Sequence, residues 1–117
     1  MTIKEKNDLI CKLLDDKKAL NIISIAVEHL TILADYFIIC SARSMTQSKA
    51  LAKHIEDSLD ELEVPIKHKE GAREGRWIVL DYNEIIIHIF LNDTREMYSL
   101  EKLWSDGANI TSFPLIN

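Results

Sequence analysis

Cysteine, glycine and proline are scarce in this sequence, at two, three and two of 117 residues. Cys11 and Cys40 lie far apart and without CxxC spacing, so no redox motif is present. They read as buried free thiols of a protein in a reducing cytosol. No linker, low-complexity segment or internal repeat interrupts the chain. A surplus of positive charge is missing too. Lys and Arg number 14 against 19 Asp and Glu, a formal net charge of -5. Neutralising phosphates requires the opposite balance, so dominant direct nucleic-acid binding is excluded. A basic protein partner or a small-molecule enzyme stays compatible with this balance. No apolar window approaches the ~20 residues of a membrane span. The segment Ile85–Leu91 is short and broken by His88. Met1–Asp8 has neither a signal core nor the Arg-rich, acid-poor character of a transit peptide. The expectation is a cytoplasmic protein with no membrane contact.

The usual signatures of chemistry are missing as well. His29, His54, His68 and His88 fit no HExxH or paired-Cys spacing, so no metal is expected. His54 and His68 read as solvated, and His88 as a hydrogen-bonded residue inside an apolar strand. Ser41-Ala42-Arg43-Ser44 precedes a helix, where backbone amides can hold an anion. It lacks the glycines of a P-loop and the GxSxG elbow of a hydrolase, and Ser44 reads as a helix cap. Asp-x-Asp does not occur. Asp81 with Glu84, and Glu61 with Glu63, form no inward-facing pair for Mg²⁺. No catalytic residue and no cofactor is expected.

What is present is an ordinary globular composition, 47% hydrophobic and 28% charged. One domain of this length buries about two-thirds of its unfolded surface and needs no metal or disulfide to fold. Residues 2 to 19 read as a helix opened by the capping-box pair Thr2 and Glu5, with Lys17 and Lys18 in its last turn. Residues 21 to 27 and 35 to 40 are runs of consecutive apolar residues, predicting strands covered on both faces. Residues 28 to 31 between them read as a turn. Residues 44 to 63 form the clearest helix, with Leu51, Ile55, Leu59 and Leu62 as its stripe and Pro65 beyond its end. Ser44 and Gln47 repeat the capping-box spacing. Residues 66 to 70 predict a short charged edge strand. Residues 76 to 82 and 84 to 91 predict a hairpin turning at Asn83. Asp93 and Ser99 each read as opening a short helical turn. The predicted order is α-β-β-α-β-β-β-α. It implies one α/β (α+β) domain over residues 1 to 107, with a mixed five-stranded sheet packed by helices. Residues 108 to 117 read as a C-terminal tail.

A surface remains as the candidate site. Strand alternation puts Trp77, Val79 and Asp81 on one face and Ile78, Leu80 and Tyr82 on the other. Ile86, His88 and Phe90 share a face in the next strand, opposite Ile85, Ile87 and Ile89. An aromatic sheet face margined by Arg73, Arg76 and Asp81 reads either as a protein-binding patch or as core.

The run Asp35-Tyr36-Phe37-Ile38-Ile39-Cys40, then Glu70-Gly71-Ala72-Arg73-Glu74-Gly75-Arg76-Trp77-Ile78-Val79-Leu80-Asp81-Tyr82, resembles the Iojap-like family of ribosomal silencing factors. So do Ile87-His88-Ile89-Phe90 and the closing Tyr98-Ser99-Leu100-Glu101-Lys102-Leu103-Trp104. The resemblance spans about residues 3 to 105. It implies a nucleotidyltransferase-like core lacking the active site. It also implies a non-enzymatic factor that docks on the fourteenth protein of the large ribosomal subunit. Docking there would block the small subunit and repress translation under nutrient limitation. Self-association as a homodimer is implied too. By position, Trp77, Leu80 and Asp81 fall on the docking strand. Glu70, Gly71, Gly75, His88, Arg95, Tyr98 and Trp104 match motif positions, and Arg73 stands at the margin. The expected partner-binding set is therefore Trp77, Leu80, Asp81, Glu70, Arg73, His88 and Tyr98. Ala26, Ala42 and Asn83-Glu84 depart from the family's usual Asp, Gly and Gly-Asp. Ala42 further weakens the alternative, a nucleotide-binding or nucleotidyltransferase-like enzyme.

Overall fold

Thr2 starts the first helix by a reciprocal cap. In the computed structural model, which describes residues 1–114, Thr2 Oγ1 accepts from the Glu5 amide at 3.0 Å and Glu5 Oε1 accepts from the Thr2 amide at 2.9 Å. Helix α1 (Ile3–Asp16) buries Asn7, Ile10, Cys11 and Leu14 on one side. It ends at Asp16, immediately before the lysines expected in its last turn. The Ala19 amide reaches the Leu14 carbonyl and the Lys18 amide reaches the Asp15 carbonyl, with Lys18 left-handed at φ 63°. Lys17 and Lys18 thus form the helix's C-terminal turn rather than decorate its last turn. Helix α2 (Met45–Glu61) closes the same way: Glu63 is left-handed at φ 60°, and Val64 donates to Leu59. Both stops lack the glycine that usually announces them, so neither was readable at its true position. At the start of α2, Ser44 Oγ accepts from the Gln47 amide, but the Gln47 side chain turns to the Arg43 amide instead of back to Ser44. Only half of the capping box forms. Leu51, Ile55 and Leu59 are buried, while Leu62 lies at the helix end and is exposed.

Six strands form one sheet, in the order β3-β4-β5-β2-β1-β6. They are β1 (Leu20–Ala26), β2 (Tyr36–Ala42), β3 (His68–Glu70), β4 (Trp77–Asp81), β5 (Ile85–Leu91) and β6 (Ile110–Phe113). Only β2 and β5 run parallel, which makes the sheet mixed. The β4–β5 hairpin turns at left-handed Asn83 (φ 73°), whose amide donates to Asp81 Oδ1 at 2.8 Å. The sixth strand corrects the expected count of five. Ile110–Phe113 lies in the segment read as a tail and pairs antiparallel with β1. Four residues carry too little alternation to declare a strand; the open edge of β1 recruits them. Asn109 fastens the junction, donating from Nδ2 to the carbonyls of Ala26 and Trp104 at 2.8 and 2.9 Å. The closing helical region is two helices, α3 (Asn92–Tyr98) and α4 (Leu100–Trp104). Between them Ser99 is left-handed (φ 48°) and makes no side-chain cap. Asp93 lies inside α3 and accepts from its neighbour Thr94, so it does not cap the helix it was expected to open.

The two sheet faces pack differently. Ile78, Leu80, Ile87, Ile89, Ile38 and Ile22 meet Ile10, Leu14, Leu51, Ile55 and Leu59 of α1 and α2. The other face carries Ile25, Ile39, Phe37 and Phe90, against which Trp77, Ile86, Leu100 and Trp104 are partly buried. Cys11 and Cys40 are free and buried, and burial pushes both thiols up to about 12. His54 corrects the solvated reading. It is half-buried on α2, and its Nε2 is enclosed with no hydrogen-bond partner among the described residues.

Candidate protein-docking face

The loop before β4 sets the position of Trp77. Gly71 is left-handed (φ 77°), and a Cβ there would lie 1.9 Å from the Trp77 carbonyl oxygen. Only glycine lets the loop cross its own strand so closely. The Gly75 amide donates to the Gly71 carbonyl at 2.9 Å, and Ser48 Oγ of α2 donates to the Gly75 carbonyl at 2.6 Å. The loop is thus closed on itself and pinned to a helix from the far side of the sheet. The glycine spacing in the sequence exists to deliver Trp77.

Trp77 pairs with Phe90 across the hairpin, with ring centroids 4.8 Å apart and stacked. Tyr98 of α3 lies 4.7 Å from the indole. The indole Nε1 donates to His88 Nδ1 at 3.1 Å. That bond requires Nδ1 to be unprotonated, so the neutral His88 carries its proton on Nε2. His88 is buried, and desolvation pushes its pKa from 6.5 down to about 4. It therefore stays neutral, and an acceptor for Trp77, at physiological pH. Phe37 meets the His88 ring edge-on at 5.6 Å, and Trp104 caps Phe37 at 5.1 Å. The cluster is continuous from Tyr98 at one end of the face to Trp104 at the other.

The structure brings together some of the expected residues and separates others. Trp77, His88 and Tyr98 form one cluster. Asp81 sits half-exposed at the far end of β4, on the same face by alternation. Glu70 is exposed and pairs directly with Val79, which places it on that face too. Its carboxylate holds His68 Nε2 at 2.9 Å. Arg73 is exposed in the glycine-bounded loop, outside the aromatic cluster. Leu80 is fully buried on the opposite face and pairs with Ile87. It supports β4 from beneath and offers nothing to a partner. Residues not singled out by sequence also belong to the surface. Met97 and Leu103 on α3 and α4 are 77% and 73% exposed. Their positions beside Tyr98 and Trp104 in the closing motif were the available signal. Leu30, Ile32 and Leu33 in the β1–β2 connection are exposed as well, and only Leu30 falls in the stretch read as a turn.

The strand-to-helix turn at Ser41–Ser44 is occupied by the protein itself. Ser41 is buried and its Oγ accepts from Arg95 Nη1 at 2.9 Å. The same Nη1 donates to the Asn21 carbonyl at 2.7 Å, and Arg95 Nε donates to Glu101 at 3.2 Å. Ser44 is spent on the α2 cap. An open cleft of about 430 Å³ lies beside Arg95, with Glu96 and Glu101 in its wall. Those carboxylates balance Arg95 and Lys102 in the same wall, which leaves no surplus of positive charge for a polyphosphate. Among the described residues, no group of three or more His, Cys, Asp or Glu is arranged to hold a metal ion. No described helix is long and apolar enough to cross a membrane.

Known proteins share this sequence and fold. Residues 1–116 match the family described as "Ribosomal silencing factor during starvation". The Ribosomal silencing factor RsfS of Bacillus subtilis is 41% identical over 93 residues, 80% of this chain and 79% of that one. The Ribosomal silencing factor RsfS of Chromobacterium violaceum is 34% identical over 113 residues, 97% of this chain and 91% of its own. A crystal structure from Chromobacterium violaceum superposes with a TM-score of 0.87 at 34% identity, covering 89% of this chain and 87% of that one. With the glycine loop, the aromatic hairpin and the closing helices all in place, this chain belongs to the Iojap-like family of ribosomal silencing factors.

Proposed function

We propose that this protein represses translation by occupying the intersubunit face of the large ribosomal subunit. It docks on the subunit's fourteenth protein and excludes the small subunit by volume under nutrient limitation. The mechanism needs no cofactor and no catalytic step. The core is then a nucleotidyltransferase-like scaffold without the active site, working in the cytoplasm and dimeric when free.

One observation carries this reading. The aromatic face is left partly open by α3 and α4, and it presents half-buried Trp77 and exposed Tyr98, with Glu70 and Asp81 farther along the same face. A net charge of -5 opposes general attraction to RNA, so the address must be a basic protein. An interface of ~1,600 Å² placed where the small subunit must dock is sufficient to exclude it. Trp77 acts as the aromatic anchor, and the carboxylates set register and on-rate.

Gradient sedimentation tests the mechanism. Added protein is expected to raise free subunits at the expense of joined ribosomes. Cosedimentation of Trp77→Ala with large subunits tests the anchor, and full binding by a folded variant would remove that assignment. The nucleotide-binding alternative finds Ser41 and Ser44 already engaged. Calorimetry with Mg²⁺ and a nucleoside triphosphate is expected to give no binding heat.

A further inference from the structure

A second feature of the aromatic face concerns what fills it. Between the start of β4 and helix α3 lies a cavity of about 360 Å³. Its wall includes Trp77, Tyr98 and Met97, together with Glu74, Arg76 and Asp93. We propose that this cavity receives one cationic side chain of the docking partner, arginine by preference. The proposal rests on the docking reading above and names the chemistry of its central contact.

Three properties point to a cation. The first is the aromatic wall. Trp77 and Tyr98 offer ring surface at the mouth, and Phe90 backs the indole. The indole N–H is spent on His88, so the indole presents ring surface and no donor for an acceptor group. A ring face without a free donor suits a cation through its quadrupole. The second is charge. Glu74 already holds Arg76, Oε1 to Nε at 2.8 Å, so these two cancel. Asp93 accepts only from Thr94 and has no cationic partner among the described residues. The wall therefore carries one uncompensated negative charge. The third is adaptability, since the Met97 thioether can follow a long, thin side chain.

Other occupants fit worse. An aliphatic side chain would desolvate Asp93 with nothing to pair it. A phosphate or a carboxylate would meet Glu74 and Asp93. Arginine fits better than lysine because its planar guanidinium stacks on an aromatic ring while forking a carboxylate.

Cosedimentation with large ribosomal subunits tests the cavity, at low and physiological salt, with Trp77→Phe, Trp77→Leu and Asp93→Asn. Trp77→Phe keeps a weaker ring face, and Trp77→Leu keeps only apolar bulk. The expected order of affinity is wild type, then Phe, then Leu, with Leu weaker than Phe by about tenfold. Asp93→Asn is expected to weaken binding by several-fold and to flatten its salt dependence. Leu binding as well as Phe, or Asp93→Asn binding as tightly as wild type, would overturn the cation pocket while leaving docking intact. Failure of the wild type to cosediment would overturn the docking reading and this proposal with it. Asp93→Asn is a near-isosteric change at an exposed site, so it decides the matter even if Trp77→Leu misfolds.

Discussion

One sheet in this protein has two faces built from different side chains. The face under α1 and α2 is aliphatic, and its sheet residues Ile78, Leu80, Ile87 and Ile89 are fully buried. The face under α3 and α4 is aromatic, and Trp77, Val79, Asp81 and Ile86 on it are only half-buried. The covering helices explain the difference. They are 14 and 17 residues long on the first face, but 7 and 5 on the second. Two short helices cannot roof a six-stranded sheet. The aliphatic face holds the fold, and the aromatic face stays partly open, which is why it is the face proposed for docking. Aliphatic residues suit a permanent interior because they carry no polar atoms to satisfy. Trp and Tyr suit a surface that is sometimes wet, because each joins a large apolar area to one polar handle.

Mutations should separate the two faces. The largest effect is expected from Ile55→Ala, at the centre of α2 and fully buried. It should cost about 2 to 5 kcal/mol of stability in urea unfolding. Subunit binding by the folded fraction should stay unchanged, and a large binding defect there would break the division. Trp77→Ala should do the reverse. Binding is expected to fall by on the order of 2 to 4 kcal/mol, while stability falls less than in Ile55→Ala.

His88 connects the faces' two roles. Its folded pKa of about 4 lies below the ordinary 6.5, because burial disfavours the charged ring. The unfolded chain therefore binds more protons between these values. Stability is full above pH 6.5 and is lost as pH falls toward 4, by roughly 3 kcal/mol in all. His88→Leu should flatten this acid-side loss in urea melts at pH 7 and pH 4. It should also weaken subunit binding at neutral pH, because the Trp77 indole loses its acceptor. An unchanged acid slope would assign the loss to other groups. The smallest effect is expected from Thr2→Ala, which removes the α1 cap. It should cost about 1 kcal/mol of stability and leave binding untouched.

Much of the fold was legible because it rests on local signals. The Thr2–Glu5 cap, the α2 stripe and the Asn83 turn involve residues close in sequence, where spacing encodes geometry. Alternation correctly divided Trp77, Val79 and Asp81 from Ile78 and Leu80. The same alternation placed Leu80 beneath the sheet, against the position-by-position resemblance that put it in the docking set. Strand β6 was not legible, since its pairing depends on an edge of β1 far away in the chain. The helix stops at Lys18 and Glu63 were hidden because side-chain residues, not glycines, adopt the left-handed turn.

The sequence by itself settled the element order as far as β5, the two-faced character of the hairpin and the family. These follow from periods of two and 3.6 and from motif spacing, which are one-dimensional quantities. Only the tertiary structure decided that Trp77 donates to His88, that Tyr98 closes against Trp77, and that Asp93 stands beside them unpaired. Those residues come from β4, β5 and α3. Their meeting depends on how a short helix packs over β5 and β2, and no local pattern in the chain records that packing.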